Sequence, residues 1–306
     1  MNEPRYEHLV IAGNGMSGVA CAEELIKSGQ IFDITIFGDE PHANYDRTLL
    51  ASVLAGERDI ESITLNDIGW YQEHGIRTRL GIRVEEIDRF NNAVRSSDGD
   101  WTSYDKLILA TGSAPAIPAI GGLDKTGVFV FGTLDDTRKL GEAAGPGVRA
   151  VVIGGWLAAE AARGLRKRGC DVVVVESGGS FDWQLDTVLG DGRVEAVRFT
   201  SGEEIGADLV VIATNLQPNT LLARNAGLEV NRGIVVNDQL ETSDRHIFAV
   251  GGCTEHNGQT FDCFPPLLEQ AKVLAANLVG ARRSGFTSLD AVFQELTASP
   301  LHQRAE

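Results

Sequence analysis

The run Gly13-Asn14-Gly15-Met16-Ser17-Gly18 has the glycine spacing that seats the pyrophosphate of a dinucleotide. In G-x-G-x-x-G the first glycine makes a tight turn and the second lets the backbone approach the phosphates. The third lets helix and strand pack closely. The phosphates would rest on the free N–H groups at the start of the following helix, where the helix dipole favours negative charge. About 20 residues past Gly18 stand Asp39 and Glu40, where an acid takes the ribose hydroxyls. The competing reading is two ordinary turn acids after a strand. No side chain stands out as a general acid, base or nucleophile, so a bound cofactor would supply the chemistry.

These residues work only if a strand feeds the turn and a helix leaves it. Residues 9–12 are an apolar strand, and residues 16–28 read as a helix stopped by Gly29. A second strand over 33–37 completes the opening of a βαβ unit. Residues 41–62 read as loop and short helix. A further helix closes at residues 71–75, strands follow within 76–90, and a hairpin spans 93–108 with Asp98-Gly99 at its turn. The stretch 113–122, rich in proline and glycine, is the best linker. Beyond it the pattern restarts. Residues 148–160, VRAVVIGGWLAAE, have the strand and the helix but not the glycines. Read without a gap from Gly154, the second glycine position is Trp156, whose indole would fill the pyrophosphate space. Glu176 ends the next strand. It suits a ribose 2′-hydroxyl, hence NADH over NADPH, or is an exposed strand-end acid. Only about 16 residues separate it from the strand near Arg193, and a full crossover needs at least about 10–12 before its strand. The second unit is therefore expected to lack, or to have reduced, an edge strand and its helix. Further strands are expected at 193–200, 207–213, 234–236 and 246–250, then a helix at 266–279.

The chain has 306 residues, 43% of them hydrophobic and 23% charged, ordinary for a globular protein. A net charge of −16 argues against nucleic acid or an anionic membrane as partner. The four cysteines, Cys21, Cys170, Cys253 and Cys263, form no C-x-x-C pair. Neither a two-cysteine redox centre nor a disulfide scaffold is expected, and a reducing cytoplasmic location fits. The N-terminus has no signal-peptide pattern, and the longest apolar stretch, 150–159, is too short to span a bilayer. Cys253-x-x-His256 with Cys263 is half of a zinc motif. No metal is expected.

Gly13-x-Gly15-x-x-Gly18, Ala110-Thr111-Gly112, Pro218-Asn219 and Ile247-Phe248-Ala249-Val250-Gly251 follow one another as they do in flavoproteins with two dinucleotide-binding domains. The chain resembles this family, the FAD/NAD(P)-dependent pyridine nucleotide oxidoreductases. It is most similar to the N-terminal flavin module of the assimilatory NAD(P)H nitrite reductase large subunit and to rubredoxin reductases. The phrases YDR with LLASVLAGE, LNDIGWYQEHGI, YDKLILATGS, LGDGRVEAVRF and NRGIVVND carry that likeness over residues 8–283. The resemblance implies an α/β fold with two Rossmann-like domains. Residues 1–118 and 243–285 would form a discontinuous FAD domain, and residues 119–242 an inserted, abbreviated NAD(P)H-type domain. Residues 286–306 would be a C-terminal tail.

The resemblance also places FAD near Thr111, Gly112, Gly251 and Gly252, with Arg47 near the flavin end or else in a surface ion pair. It implies that NAD(P)H passes hydride to the flavin, which passes electrons to a protein or metal centre. Several positions depart from it. Aligned on Glu160, the family's helix glutamate, the second turn has lost one glycine. Gly252 stands where the family has an acid, and Ser52 where ferredoxin reductases have a lysine that pairs with Glu160. The family's C-terminal covering domain is expected to be lacking after residue 285. The expected function is an FAD-containing electron-transfer subunit of nitrite or nitrate assimilation with weak or lost NADH oxidation. The other reading is a non-catalytic structural subunit that binds FAD or an adenine nucleotide within a larger complex. The expected partner is a larger redox protein or subunit, or a second copy of the chain, with residues 261–268 as the contact or else packed on the flavin.

Overall fold

The structure is a computed structural model that describes residues 6–176, 185–261 and 264–281. Cys263, the segment 177–184 and residues 282–306, with the expected tail 286–306, fall outside the described residues. The chain divides into two compact units. The first takes residues up to 45, then 65–113, then from 217 onward, and the second takes residues 46–64 and 114–216. These borders differ from those expected. Residues 217–242 join the first unit because Ala223, Leu228, Ile234, Val236 and Leu240 are buried in its core. Residues 46–64 join the second, where the helix Leu50–Leu54 packs on Trp156–Lys167. Gly164 permits that approach, since a Cβ there would lie 2.9 Å from the Leu54 side chain.

The first unit is built on a five-stranded parallel sheet. Its order is Ile247–Ala249, Lys106–Leu109, His8–Ala12, Asp33–Gly38, Arg77–Leu80. The central strand is fully buried at Leu9, Val10 and Ile11, and each such Leu or Ile contributes roughly 1.5–3 kcal/mol by burial. The helix Met16–Lys27 buries Gly18, Val19, Ala20, Cys21, Ala22 and Leu25. Its small residues bring it close to the sheet and to the helix Phe264–Leu278. Gly29, at φ +75°, ends it. The expected hairpin is present as Ala93–Ser96 and Trp101–Ser103 around Gly99, with Val84–Asp88 as a third antiparallel strand.

The second unit repeats the plan on four parallel strands, ordered Val128–Val130, Leu209–Ala213, Arg149–Gly154, Asp171–Val175. Among the described residues nothing pairs with the outer edge of Asp171–Val175, so this sheet lacks the counterpart of Arg77–Leu80. The chain goes instead into an antiparallel sheet, Leu185–Leu189, Ala196–Phe199 and Glu204–Gly206. The sequence reading saw only the middle strand. The first and third are short and carry charged residues at Asp186 and Glu204, which hides their alternation. The helix Trp156–Lys167 buries Ala158, Ala161, Ala162 and Leu165 along one face, the 3–4 spacing of an amphipathic helix.

Candidate functional site

The Gly13–Gly18 turn lies where the central strand of the first sheet ends. Gly13 has φ +131°, and a Cβ there would meet the Ala110 carbonyl oxygen at 2.0 Å. A Cβ on Gly18 would meet the Gly13 carbonyl at 2.2 Å. Both glycines are therefore required by close backbone approach. Gly15 differs. Its φ is −80°, and a Cβ there would meet nothing within 4 Å. That open ground faces the helix whose first residues are Met16 and Ser17, the arrangement that receives a pyrophosphate.

Neighbouring segments close around the turn. A Cβ on Gly38 would lie 2.8 Å from the Asn14 Cβ, so the end of the second strand abuts the turn. This brings Asp39 and Glu40 beside it. Asp39 is exposed and pairs with Arg83 at 3.0 Å. Glu40 accepts the Tyr45 hydroxyl at 2.8 Å and 3.0 Å. Gly251, at φ +89°, packs on Ser17, with 2.6 Å between a Cβ there and Ser17 Oγ. A Cβ on Gly252 would lie 2.9 Å from Ser113 Oγ. Thr111 and Gly112 are clamped to Asn219. The Thr111 hydroxyl donates to the Asn219 carbonyl at 2.7 Å, Asn219 Nδ2 donates to the Thr111 carbonyl at 2.8 Å, and the Asn219 N–H donates to the Gly112 carbonyl at 2.9 Å. The structure thus gathers Gly13 to Gly18, Asp39, Glu40, Thr111, Gly112, Gly251 and Gly252 at one end of one sheet. This cradle, open at Gly15 and ending at the start of the helix Met16–Lys27, fits a dinucleotide.

Arg47 is not among them. It belongs to the second unit, where its guanidinium donates to the Gly132 carbonyl, through Nε at 3.1 Å and also through Nη2. Glu160 is on the helix Trp156–Lys167 and pairs with Arg163 at 3.5 Å. Arg163 also bonds Glu57 at 2.9 Å and Ser52 Oγ at 3.3 Å. Glu160 and Ser52 are thus both partnered by Arg163.

Hydrogen-bond register aligns the second turn with the first. Ala12 pairs with Leu109, and Ile153 with Ile212, so Gly154 matches Gly13. A Cβ on Gly154, at φ +147°, would meet the Ala213 carbonyl oxygen at 1.9 Å. The helices align as well, since the Val19 N–H bonds the Gly15 carbonyl and the Ala159 N–H bonds the Gly155 carbonyl, both at 3.1 Å. Gly155 therefore matches Gly15, and nothing matches Asn14. Of the two alignments of this motif, the structure has the one with a residue missing from the turn. Trp156 then matches Met16 at the first helical position and is 56% exposed. The ground over Gly155 is not open, for Asn215 Oδ1 lies 3.4 Å from where its Cβ would be. Glu176, exposed, follows a strand in which Val175 pairs with Ile153 as Phe37 pairs with Ala12. It therefore matches Gly38 and stands one place before the counterpart of Asp39.

The matching family model is that of the pyridine nucleotide-disulphide oxidoreductases, over residues 7–186 and 181–273. The chain belongs to this family. It is 42% identical over 302 residues to the assimilatory nitrate reductase electron transfer subunit of Bacillus subtilis (strain 168), covering 90% of this chain and 39% of that one. It is 43% identical over 302 residues to a nitrite reductase [NAD(P)H] of the same strain, covering 90% and 38%. The chain thus spans under two fifths of the length of these relatives. Among solved structures it superposes on putidaredoxin reductase from a covalent complex with putidaredoxin, with TM-score 0.83 and 28% identity, covering 90% and 76%. The two-domain α/β fold and an FAD site with NAD(P)H as the family's reductant follow from this membership.

The disulphide in the family's name has no counterpart among the described residues. Cys21, Cys170 and Cys253 are free and buried, and burial pushes all three thiols up. Cys253 packs with its Sγ 3.4 Å from the Leu109 carbonyl and 3.3 Å from that of Val250. His256 turns to Asp238 at 2.8 Å, and no metal-holding cluster exists among the described residues. No helix among them is long and apolar enough to cross a membrane. Sequence reasoning passed over Gln270. It is fully buried, and its Oε1 accepts the Gly251 N–H at 2.6 Å. Its signal was a polar residue one turn before Leu274 on an apolar face.

Proposed function

We propose that this chain is an FAD-binding electron-transfer module of a nitrate or nitrite reductase system in which NADH binding has become weak. The observation that carries this reading is the contrast between the two turns. One is open at Gly15. The other is a residue short and faced by Asn215, with Trp156 in the place of Met16 at the helix start. The relatives' names support the nitrate or nitrite setting. Gly13, Gly15, Gly18 and the N–H groups of Met16 and Ser17 would hold the pyrophosphate. Asp39 or Glu40 would take the ribose, and Thr111, Gly112, Gly251 and Gly252 would line the remainder. Bound FAD supplies the redox chemistry, accepting two electrons and releasing them singly or together. The chain's own residues bind and orient it. With no acid at Gly252, the backbone rather than a carboxylate borders that part of the site. A larger redox protein or subunit is the proposed partner.

A second reading, FAD as a purely structural ligand, is favoured by Gly252 and by the loss of lysine at Ser52. An anaerobic visible spectrum separates the two. The purified protein should show the flavin bands, bleach fully with dithionite, bleach slowly with NADH, and recover when ferricyanide is added. A protein with no flavin bands and no uptake of FAD ends both readings. Flavin that dithionite or ferricyanide cannot reach leaves only the structural one.

A further inference from the structure

Within the first unit a chain of buried polar groups starts at the phosphate-binding turn and returns to the helix that the turn begins. Asn14 Nδ2 donates to the His42 carbonyl at 3.1 Å. Asn14 Oδ1 accepts the Tyr71 hydroxyl at 2.9 Å. The same hydroxyl oxygen accepts the Asn44 N–H at 3.3 Å. Asn44 Nδ2 then donates to Asn66 Oδ1 at 2.9 Å, and Asn66 Nδ2 donates to Glu23 Oε1 at 2.9 Å. Glu23 lies on the helix Met16–Lys27. Tyr71, Asn44 and Asn66 are 1%, 3% and 7% exposed. Buried polar groups of this kind hold fixed positions because each unmade bond leaves a desolvated atom without a partner.

The backbone of the turn is held at Gly13, whose N–H donates to the Phe37 carbonyl at 2.8 Å. Gly15 touches nothing on its open side, and Asn14 is the one residue between the two turn glycines with a side chain to hold. Its amide is gripped at both ends, by the His42 carbonyl and by Tyr71. Tyr71 reaches it from the helix Ile68–Glu73, over 50 residues further along the chain. The second unit, with no counterpart of Asn14, has no residue in its turn for such a brace to hold.

We propose that Tyr71 is a positioning residue for FAD, acting through Asn14: its hydroxyl fixes the Asn14 amide, and with it the peptide groups of the Gly13–Gly15 turn, in the geometry that receives the pyrophosphate. Tyr71 does not touch the cofactor. It rests on the FAD reading of this site, and the experiment separates failure of that reading from failure of this one.

The test is the rate at which FAD leaves the holoprotein on dilution, followed by the rise in free-flavin fluorescence. Tyr71→Phe keeps the ring and its packing and removes only the hydroxyl. It should release FAD about tenfold faster, the scale of one lost bond to a buried acceptor. Asn14→Ala should release it at least as fast. In the Asn14→Ala background the Tyr71→Phe change should add nothing, since the two act as one unit. Unchanged release from Tyr71→Phe with a lowered Tm would overturn the proposal by showing a packing role alone. Independent, multiplicative effects of the two substitutions would overturn it equally. Should Tyr71→Phe not fold, Glu23→Ala cuts the same chain at its half-exposed end. It should speed release about twofold to threefold, the scale of a partly screened bond, and release equal to wild type would overturn the brace. A wild-type protein that never carries FAD would overturn the site reading itself.

Discussion

The two sheets of this protein begin alike and end differently. At their starting edge the same device recurs. The N–H of His8 donates to Asp105 Oδ2 at 2.8 Å, and the N–H of Arg149 donates to Asp208 Oδ2 at 2.9 Å. At the other end one turn has three residues, Gly13-Asn14-Gly15, and the other has two, Gly154-Gly155. The difference teaches that the Rossmann-like scaffold and its ligand site are separable. Strand, turn and helix survive the loss of a residue because sheet packing fixes them. Capacity for a pyrophosphate depends on one inserted residue and on what stands across from it.

The sharpest way to break this contrast is to close the open ground of the first turn with a bulky side chain. Gly15→Trp should leave the fold intact, since a Cβ there meets nothing within 4 Å. It should cost at least about a hundredfold in FAD affinity by displacing several charge-assisted bonds to phosphate. Flavin content after purification, beside a circular dichroism spectrum, checks it. The reverse change sharpens the contrast. Wild-type flavin should be reduced by sub-millimolar NADH well below about 10 per second, the median turnover of enzymes. Inserting one residue after Gly154 together with Trp156→Met should raise that rate about tenfold, a gain of about 1.4 kcal/mol in binding. Stopped-flow absorbance would show it, and fast reduction of the wild type would refute the weak-NADH reading. In that lengthened variant NADH should be preferred to NADPH, because Glu176 repels a 2′-phosphate. Glu176→Arg should narrow or reverse the preference, measured as the ratio of the two reduction rates.

The smallest effect concerns pH. Burial, with Arg77 nearby, lowers the His8 pKa below 6.5 despite the opposing pull of Asp33 and Asp105. The unfolded chain then holds the proton more tightly. The stability His8 contributes is whole above pH 6.5 and is lost as pH falls below it. The Arg149 hydrogen bond draws Asp208 from 3.8 down to about 2. Its contribution is present above 3.8 and is lost as pH falls toward 2. Thermal unfolding should therefore show His8→Gln flattening the slope between pH 7 and 5, and Asp208→Asn flattening it between pH 4 and 2. Each change should amount to a few degrees or less, because Asp208 is partly solvent-screened.

Most of the fold was legible where periodicity and glycine coincide. The strand His8–Ala12, the helix Met16–Lys27 with Gly29 after it, and the strand Asp33–Gly38 all lie within a residue or two of where the sequence puts them. So do Arg149–Gly154 and Trp156–Lys167. The unit borders were not legible. Residues 46–64 and 217–242 are each sequence-adjacent to one unit and packed with the other, and local pattern carries no information on such long-range packing. Nor did the site's supporting shell show. Tyr71 and Asn66 look like ordinary members of a polar segment, and only the fold brings Tyr71 to Asn14. For Arg47 the resemblance implies the flavin end or else a surface ion pair, and its guanidinium bonds the Gly132 carbonyl within the second unit.

Gly154 carries one more consequence. The carbonyl of Ala213 would be 1.9 Å from any Cβ placed there, so no other residue can replace it, whatever the turn binds or has ceased to bind. A deep mutational scan scored by protein abundance would find Gly13 and Gly154 equally intolerant. The same scan scored by flavin retention would single out Gly15 among the three. Gly154 thus answers to the backbone alone, and its presence in the sequence says nothing of what the turn above it holds.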